Sequence, residues 1–230
     1  MSLHGSMGPF NGKIEEFGQQ SFSEFGEDVV LFAWLDTLRL RTPGGFYVDV
    51  GAHHPRFLST TYLLRKLLGW RGMNIEADPN LFKAFEQECP ECVNLQMAVG
   101  GRARMDTLTI YNYPGVNTMS ETLRQRQADN PHLTIDSTIE IPVVPINNVL
   151  EEYLPKDAQF RVLSIDVEGL DFEVIEAFDF NRWRPNLVLI EDFEMDLRDA
   201  GKSRIFRRMN EVNYLPASHC MVTTLYRDLL

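Results

Sequence analysis

Residues 46–55 read FYVDVGAHHP, and residues 73–78 read MNIEAD. Both are apolar runs that end in an acid, Asp49 in the first and Glu76 27 positions later in the second. With an amphipathic segment between them, they predict a strand–helix–strand unit that binds a nucleoside at the carboxyl ends of its strands. Gly51 lets the backbone approach a ligand closely, and Glu76 can accept two hydrogen bonds from a ribose diol.

The loop after the first strand indicates which nucleoside is bound. A dinucleotide-binding loop has the pattern Gly-x-Gly-x-x-Gly, whereas here Gly51 is followed by Ala52, His53, His54 and Pro55. The loop therefore favours a nucleoside without a diphosphate. S-adenosylmethionine fits, with its ribose at Glu76 and its aminoacyl part beside Asp49 and Gly51. A nicotinamide-dependent dehydrogenase is the less favoured enzyme class.

Strands alternate with helices along the rest of the chain, which predicts an α/β fold with a mostly parallel sheet and helices on both faces. Residues 1–22 are assigned to an N-terminal arm, whose first residues, MSLHGSMG, resemble an expression leftover, and residues 23–230 to a single domain. We expect helices at 23–41, 59–68, 148–153, 171–178 and 198–212, with an interruption at Gly201 in the last of these. A further helix is expected to begin at Pro79, with Asp78 as its cap. Strands are expected at 46–50, 70–76, 93–99, 108–111, 139–146, 161–166 and 187–190, with a final hairpin of 214–215 and 221–225. Pro142 and Pro145 favour an edge position for the strand at 139–146.

Composition limits the partners of the chain. Its 230 residues carry a formal charge of −11, with 22 basic and 33 acidic residues, which disfavours sequence-independent nucleic-acid binding. No apolar run reaches about 18 residues, so no membrane span is expected. There is no signal-peptide pattern, and the three cysteines are an odd, small number, so we expect a cytoplasmic protein. The sequence leaves the oligomeric state open.

Two of the cysteines have the spacing of half a zinc site. Cys89 and Cys92 are separated by two residues, and His219 with Cys220 could complete four ligands. The alternative is that these thiols only happen to lie at a helix end and a strand start, and we favour it because no second separated cysteine pair is present.

Several motifs in consecutive order resemble the FkbM family of S-adenosylmethionine-dependent methyltransferases. They are FYVDVGA at 46–52, STTY at 59–62, GWRG at 69–72, NIEADP at 74–79, NLQMAV at 94–99, IDVEG at 165–169 and LIE at 189–191. The segment SEFGED at 23–28 resembles the family's N-terminal pattern, with Glu24 in place of a glutamine, and is expected to cover the cofactor. His53 and His54 stand where the family often has an asparagine.

The resemblance implies a class I methyltransferase (Rossmann-like) fold, a seven-stranded sheet whose last strand is antiparallel. It also implies O-methylation of a sugar, polysaccharide or small secondary-metabolite hydroxyl. The residues expected to bind the cofactor are Asp49, Gly51, Ala52, Ser59, Thr60, Glu76, Ala77, Ala98, Val99 and Asp166. Contacts to the acceptor are expected in the irregular stretch 111–130, at Asn117, Thr118, Met119 and Ser120.

An alcohol acceptor must lose its proton as it attacks, so a histidine or carboxylate is needed near the methyl group. The candidates for this base are His54, His53, Asp166 and Glu168. A metal variant is also open: Asp166, Glu191 and Asp192 lie at neighbouring strand ends, and carboxylates without a basic partner can bind Mg²⁺. A nucleoside-binding or assembly module without catalytic activity is the non-enzymatic alternative.

Overall fold

The computed structural model describes residues 20–230. The segment MSLHGSMG, which was expected to be an expression leftover, and all of the expected arm except residues 20–22 lie outside the described residues. The division into an arm and one domain stays a prediction. Within residues 20–230, no helix is both long enough and apolar enough to cross a membrane.

A seven-stranded sheet forms the centre of the described structure, and the predicted fold class is confirmed. Its strands are β1 (Gly45–Val50), β2 (Arg71–Glu76), β3 (Val93–Gln96), β7 (Gln159–Ile165), β8 (Leu187–Glu191), β9 (Tyr214–Cys220) and β10 (Thr223–Asp228). Their order is β3-β2-β1-β7-β8-β10-β9, and all of them run in the same direction except β10, which is antiparallel to β8 and β9. The antiparallel last strand is the one that the resemblance implied.

Three further strands form a second, smaller sheet. They are β4 (Ala98–Gly100), β5 (Arg104–Tyr111) and β6 (Ile135–Pro145), in the order β4-β6-β5. The expected strand at 93–99 is thus divided at Met97 between the two sheets. The edge position expected for residues 139–146 is wrong, since β6 lies between two strands. Pro142 is nevertheless tolerated there, because β4 pairs only with residues 143–145 and leaves that stretch of β6 with β5 as its neighbour.

Seven helices accompany the two sheets in the described part of the chain. They are α1 (Glu27–Thr37), α2 (Tyr62–Leu68), α3 (Pro79–Glu88), α4 (Glu121–Gln127), α5 (Ile146–Tyr153), α6 (Asp171–Ala177) and α7 (Arg204–Glu211), with short 3-10 turns at Pro114–Val116 and Ala200–Lys202. The expected helix at 198–212 is therefore interrupted, as Gly201 suggested. α4 begins at the Ser120 cap, whose hydroxyl accepts from the Leu123 N–H.

The first helix starts later than the sequence predicted. Gly26 precedes α1 in a left-handed conformation, while Ser23 lies outside the helix and accepts the Asp28 N–H with its hydroxyl (3.2 Å). The Asp28 carboxylate in turn accepts from the Ser21 and Ser23 hydroxyls and from the Phe22 N–H, at 2.7–2.8 Å. Asp28 therefore fixes the segment before α1, and the Phe22 carbonyl oxygen is held by the Ser59 N–H at 2.9 Å.

The apolar residues of the main sheet pack into two clusters, one on each face. Tyr47 joins the cluster that contains Leu31 and Leu35 of α1, whereas its neighbour Val48 joins the cluster that contains residues of α5, α6 and α7. Successive residues of a strand point to opposite faces, so β1 is buried on both sides. This leaves the ends of the parallel strands as the place where polar side chains can collect.

The expected zinc ligands do not meet. Cys92 directly precedes β3, whereas His219 and Cys220 end β9, and β3 and β9 are the opposite edges of the seven-stranded sheet. In the structure Cys89 and Cys92 form a disulfide, and His219 Nδ1 lies 2.8 Å from the Thr224 hydroxyl. The four residues therefore do not form one metal site.

Candidate functional site

The carboxyl ends of β1, β2, β7 and β8 surround a pocket with a strongly acidic lining. Among the residues that the structure describes, seven carboxylate side chains line it, and neither lysine nor arginine does. The seven are Glu24, Glu27, Asp49, Glu76, Asp166, Glu168 and Glu191. A pocket of this charge attracts cations and repels phosphate groups.

The turn after β1 joins three strand ends. Gly51 has φ +78°, and a Cβ atom there would lie 1.7 Å from the carbonyl oxygen of Asp166. The N–H groups of Gly51 and Ala52 both donate to the Ile75 carbonyl at 3.0 Å, and the Asp166 N–H donates to the Val50 carbonyl at 2.9 Å. Only glycine combines this conformation with this close approach, so the turn holds the ends of β1, β2 and β7 together.

Glu76, the last residue of β2, is held by two backbone groups. Its Oε2 accepts from the His53 N–H at 2.8 Å and its Oε1 from the Asp78 N–H at 2.7 Å. Burial raises the pKa of the carboxyl to about 7, although these two hydrogen bonds favour the ionised form. Each carboxylate oxygen retains a lone pair, so a diol can bind to a carboxylate whose orientation is already fixed.

Asp49 lies one strand away and is also buried. The Thr61 hydroxyl, just before α2, donates to its Oδ2 at 2.7 Å. Burial raises the pKa of Asp49 to about 6, and hydrogen bonds from Thr61 and Ser164 oppose that rise. The residue is therefore positioned by its neighbours and faces the same pocket as Glu76.

Three carboxylates converge on the side of β7 and β8. Asp166, Glu168 and Glu191 each offer an oxygen, and these oxygens all lie within 4.8 Å of one another. Glu191 is 6% exposed, and its Oε2 is buried without a hydrogen-bond partner among the described residues. Asp166 is reached by solvent through the pocket, yet the surrounding protein and the charges of Asp171 and Asp49 raise its pKa.

The other two acids of this group are perturbed in the same direction. Burial and the neighbouring carboxylates raise the pKa of Glu168 to about 9 and that of Glu191 well above its ordinary value. The three carboxyl groups lie close together without a basic partner. Such groups either bind protons or are stabilised in their ionised form by a cation.

Most of the residues expected from the sequence do line this pocket. Beside the acids they are Gly51, Ala52, His53, Thr60, Ala77, Ala98 and Val99. Ser59 does not; its hydroxyl accepts from the Tyr62 N–H at the start of α2. His54 is also outside, because its Nδ1 accepts from the N–H groups of Arg56 and Phe57 at 3.1 and 3.2 Å.

Asp192 lies apart from the three-carboxylate group. Its Oδ2 accepts from the Ser203 hydroxyl at 2.5 Å and its Oδ1 from the Glu194 N–H at 3.0 Å. Asp192 follows the last residue of β8, so its side chain and that of Glu191 take opposite directions. In place of Asp192, the structure brings Glu168 into the group expected to hold a metal.

The family model for the methyltransferase FkbM domain matches residues 49–215, which is most of the chain. The chain belongs to the FkbM methyltransferase family. The matched region begins at Asp49 and includes the ends of β2, β7 and β8, so it contains five of the seven acids in the pocket. No curated protein and no solved structure has significant similarity to the chain. Methyltransferases of this kind generally use S-adenosylmethionine.

The pocket of this FkbM methyltransferase is also lined by residues that the sequence did not single out as ligands. Glu24, Phe25 and Glu27 line the pocket from the segment before and within α1, and the motif at 23–28 was the signal that could have identified them. Val222 and Thr223 also line it, from the start of β10. Their position depends on the insertion of β10 beside β8, for which local sequence carries no signal.

Proposed function

We propose that this methyltransferase transfers the methyl group of S-adenosylmethionine to a hydroxyl of a sugar, a polysaccharide or a small secondary metabolite. The acidic lining of the pocket is the observation that supports the cofactor: seven residues with carboxyl side chains line it, without lysine or arginine among the described lining residues, and a bound cation would favour their ionised forms. S-adenosylmethionine carries a sulfonium and an ammonium group, which this lining attracts. The diphosphate of a nicotinamide dinucleotide would be repelled.

The strand ends supply a binding role for each part of the cofactor. Glu76, held by two N–H groups, suits the ribose diol. Asp49 and the Gly51 turn suit the aminoacyl part, since a carboxylate accepts from an ammonium group. Ala77, Ala98 and Val99 give the pocket an apolar portion that suits the adenine ring.

The cofactor supplies a methyl group that is already activated for displacement, so the residues of the chain have two remaining tasks. They must hold the acceptor in line and remove its proton. We assign the proton to the Asp166–Glu168 pair: as the new C–O bond forms and the C–S bond breaks, the hydroxyl proton passes to one of these carboxylates. A cation in the pocket would lower the raised pKa values of this pair and return it to the basic form. His53 is the alternative base, since it also lines the pocket.

A divalent cation such as Mg²⁺ fits the same side of the pocket. Asp166, Glu168 and Glu191 offer oxygens within 4.8 Å of one another. The Oε2 atom of Glu191 has no hydrogen-bond partner among the described residues and is available as a metal ligand. Oxygen-only ligands suit Mg²⁺. When bound, such an ion would lower the pKa of an acceptor hydroxyl. This proposal replaces Asp192 of the expected metal set with Glu168.

Calorimetric titration tests the cofactor. We expect S-adenosylmethionine and S-adenosylhomocysteine to bind, NAD not to bind, and Glu76→Ala to lose the binding. His54→Ala is the matched control, because His54 lies outside the pocket, and it should bind as the wild type does. Binding of NAD instead, or undiminished binding by Glu76→Ala, would contradict the proposal.

Transfer of a labelled methyl group to a panel of hydroxyl compounds, with amines as comparison, then tests the reaction. Cofactor binding without transfer to any of them would favour the module without catalytic activity.

The cation has a separate test. Titration with Mn²⁺, followed by its electron paramagnetic resonance signal, should show one bound ion that Glu191→Gln loses and Asp192→Asn retains. Loss of the ion in both variants would restore the set predicted from the sequence, and retention by Glu191→Gln would exclude Glu191 as a ligand. No binding by the wild type would remove the metal from the proposal.

A further inference from the structure

Residues 112–120, which we name the bridging segment, connect β5 to α4 and form part of the pocket wall. Pro114, Gly115, Asn117 and Met119 line the pocket. The segment is also paired with β5, since Thr118 and Thr109 exchange backbone hydrogen bonds of 2.9 and 3.1 Å. The bridging segment is thus an ordered wall that lies on the end of β5.

A chain of hydrogen bonds leads from Glu76 to this segment. The Asp78 N–H donates to Glu76 Oε1 at 2.7 Å. Asn117 Nδ2 donates to Asp78 Oδ2 at 2.9 Å, and Asn117 Oδ1 accepts from the Tyr111 N–H at 2.9 Å. Both ends of the Asn117 amide are therefore used, which fixes its orientation. Asp78 is 2% exposed, so water does not compete effectively for its bond to Asn117.

The next residues of the bridging segment contact the backbone of the loop that carries Glu168. The Thr118 hydroxyl donates to the Glu168 carbonyl at 2.7 Å and accepts from the Ser120 N–H at 2.8 Å. A Cβ on Gly169 would lie 2.9 Å from Leu123 Cδ1, so α4 packs closely against the loop that carries Glu168. The bridging segment therefore spans the pocket from the end of β2 to the end of β7.

We propose that Asn117 is a positioning residue, through which cofactor binding at Glu76 fixes the wall of the acceptor site. This inference rests on the proposed function, because it takes Glu76 as the ligand of the ribose. A ribose that fixes the Glu76 carboxylate also fixes the acceptor of the Asp78 N–H, and the Asp78 carboxylate then holds Asn117. Bound cofactor would therefore stabilise this hydrogen-bonded wall against local opening.

Hydrogen–deuterium exchange of the full chain, with and without S-adenosylhomocysteine, measures this coupling. In the wild type we expect the ligand to slow exchange in residues 112–120 by about tenfold, a change of the size given by one charge-assisted hydrogen bond. Asn117→Ala should still bind the ligand, yet show little or no ligand-induced slowing in these residues. A purely structural role for Asn117 would speed exchange equally with and without the ligand and leave the ratio unchanged.

Two further variants make the test independent of a folding defect. Asp78→Asn keeps the cap on the Asn80 N–H but places an amide group opposite Asn117 Nδ2, so it should reproduce the loss of coupling. Asn112→Ala is the matched control, since Asn112 is exposed and bonds to His132 and Thr134 rather than to the pocket. It should retain the ligand-induced slowing.

The outcomes separate the two proposals. If the wild type does not bind S-adenosylhomocysteine, the proposed function fails, and the coupling fails with it. If it binds without slowing exchange in residues 112–120, or if Asn117→Ala shows the same slowing as the wild type, only the coupling is overturned.

Discussion

Replacing Gly51 with alanine tests whether the turn after β1 is fixed by close packing. The added Cβ would lie 1.7 Å from the Asp166 carbonyl oxygen, which is backbone and cannot rotate away. The Asp166 peptide is itself bonded to Val50 through its N–H, so relief requires β1 and β7 to separate. We expect a loss of about 1–2 kcal/mol from the left-handed conformation and about 1–3 kcal/mol from overpacking.

Gly69→Ala is the matched control for this variant. Gly69 also has a positive φ, of +62°, but no atom lies within 4 Å of its added Cβ. It should therefore lose only the conformational part, about 1–2 kcal/mol. Urea unfolding of both variants measures the difference, and titration with S-adenosylhomocysteine should show that only Gly51→Ala loses binding. If Gly51→Ala is no less stable than Gly69→Ala, the close approach does not constrain the turn and our reasoning about it is refuted.

Three other predictions concern the acids and histidines of the site. Burial raises the pKa of Glu76 to about 7 in the folded chain, so near neutral pH the folded state keeps a proton that the unfolded chain releases. The free energy of unfolding should therefore fall by about 3 kcal/mol for this group as the pH rises from about 5 to about 8. Urea unfolding measured against pH should show a flatter curve for Glu76→Gln than for the wild type, and equal curves would contradict the assignment. Glu191→Gln should stabilise the unliganded protein at neutral pH by about 1–2 kcal/mol, because the raised pKa of Glu191 requires this residue to take up a proton on folding whereas glutamine does not, and a lower melting temperature would count against this. His53→Ala should weaken S-adenosylhomocysteine binding more than His54→Ala does, as calorimetry can measure, because only His53 lines the pocket; equal losses would argue against that distinction.

The sequence predicted the main sheet well because its signals are local. Apolar runs mark β1, β2, β7 and β8, and Asp78 before Pro79 marks the start of α3, where the Asp78 side chain accepts from the Asn80 N–H as expected. The second sheet was not predicted, since its pairing joins residues 98–100 to residues 143–145, which are distant in sequence. A local sequence pattern does not indicate which distant strand will pair with it.

The candidate site was predicted to the level of strand ends but not of side-chain direction. Glu191 and Asp192 are equally acidic in the sequence, yet only Glu191 lines the pocket, because neighbouring residues of an extended chain point to opposite sides. Glu168 was expected as a base, and the structure also places it in the three-carboxylate group with Asp166 and Glu191. It reaches this position because the chain turns after β7, with φ +52° at Glu168. The cytoplasmic location and the absence of nucleic-acid partners stay predictions.

The strand order has a consequence for how this protein should be shortened for expression. The region that matches the family ends at residue 215, but β10, at Thr223–Asp228, lies between β8 and β9 in the sheet. A fragment cut at the family boundaries would keep the first residues of β9 without the strand that attaches them, and would begin after most of β1 and all of α1. Such a fragment should expose the edge of β8 and aggregate. A fragment that keeps the described main sheet whole therefore includes at least the residues from the Asp28-bound segment, near residue 20, through residue 228.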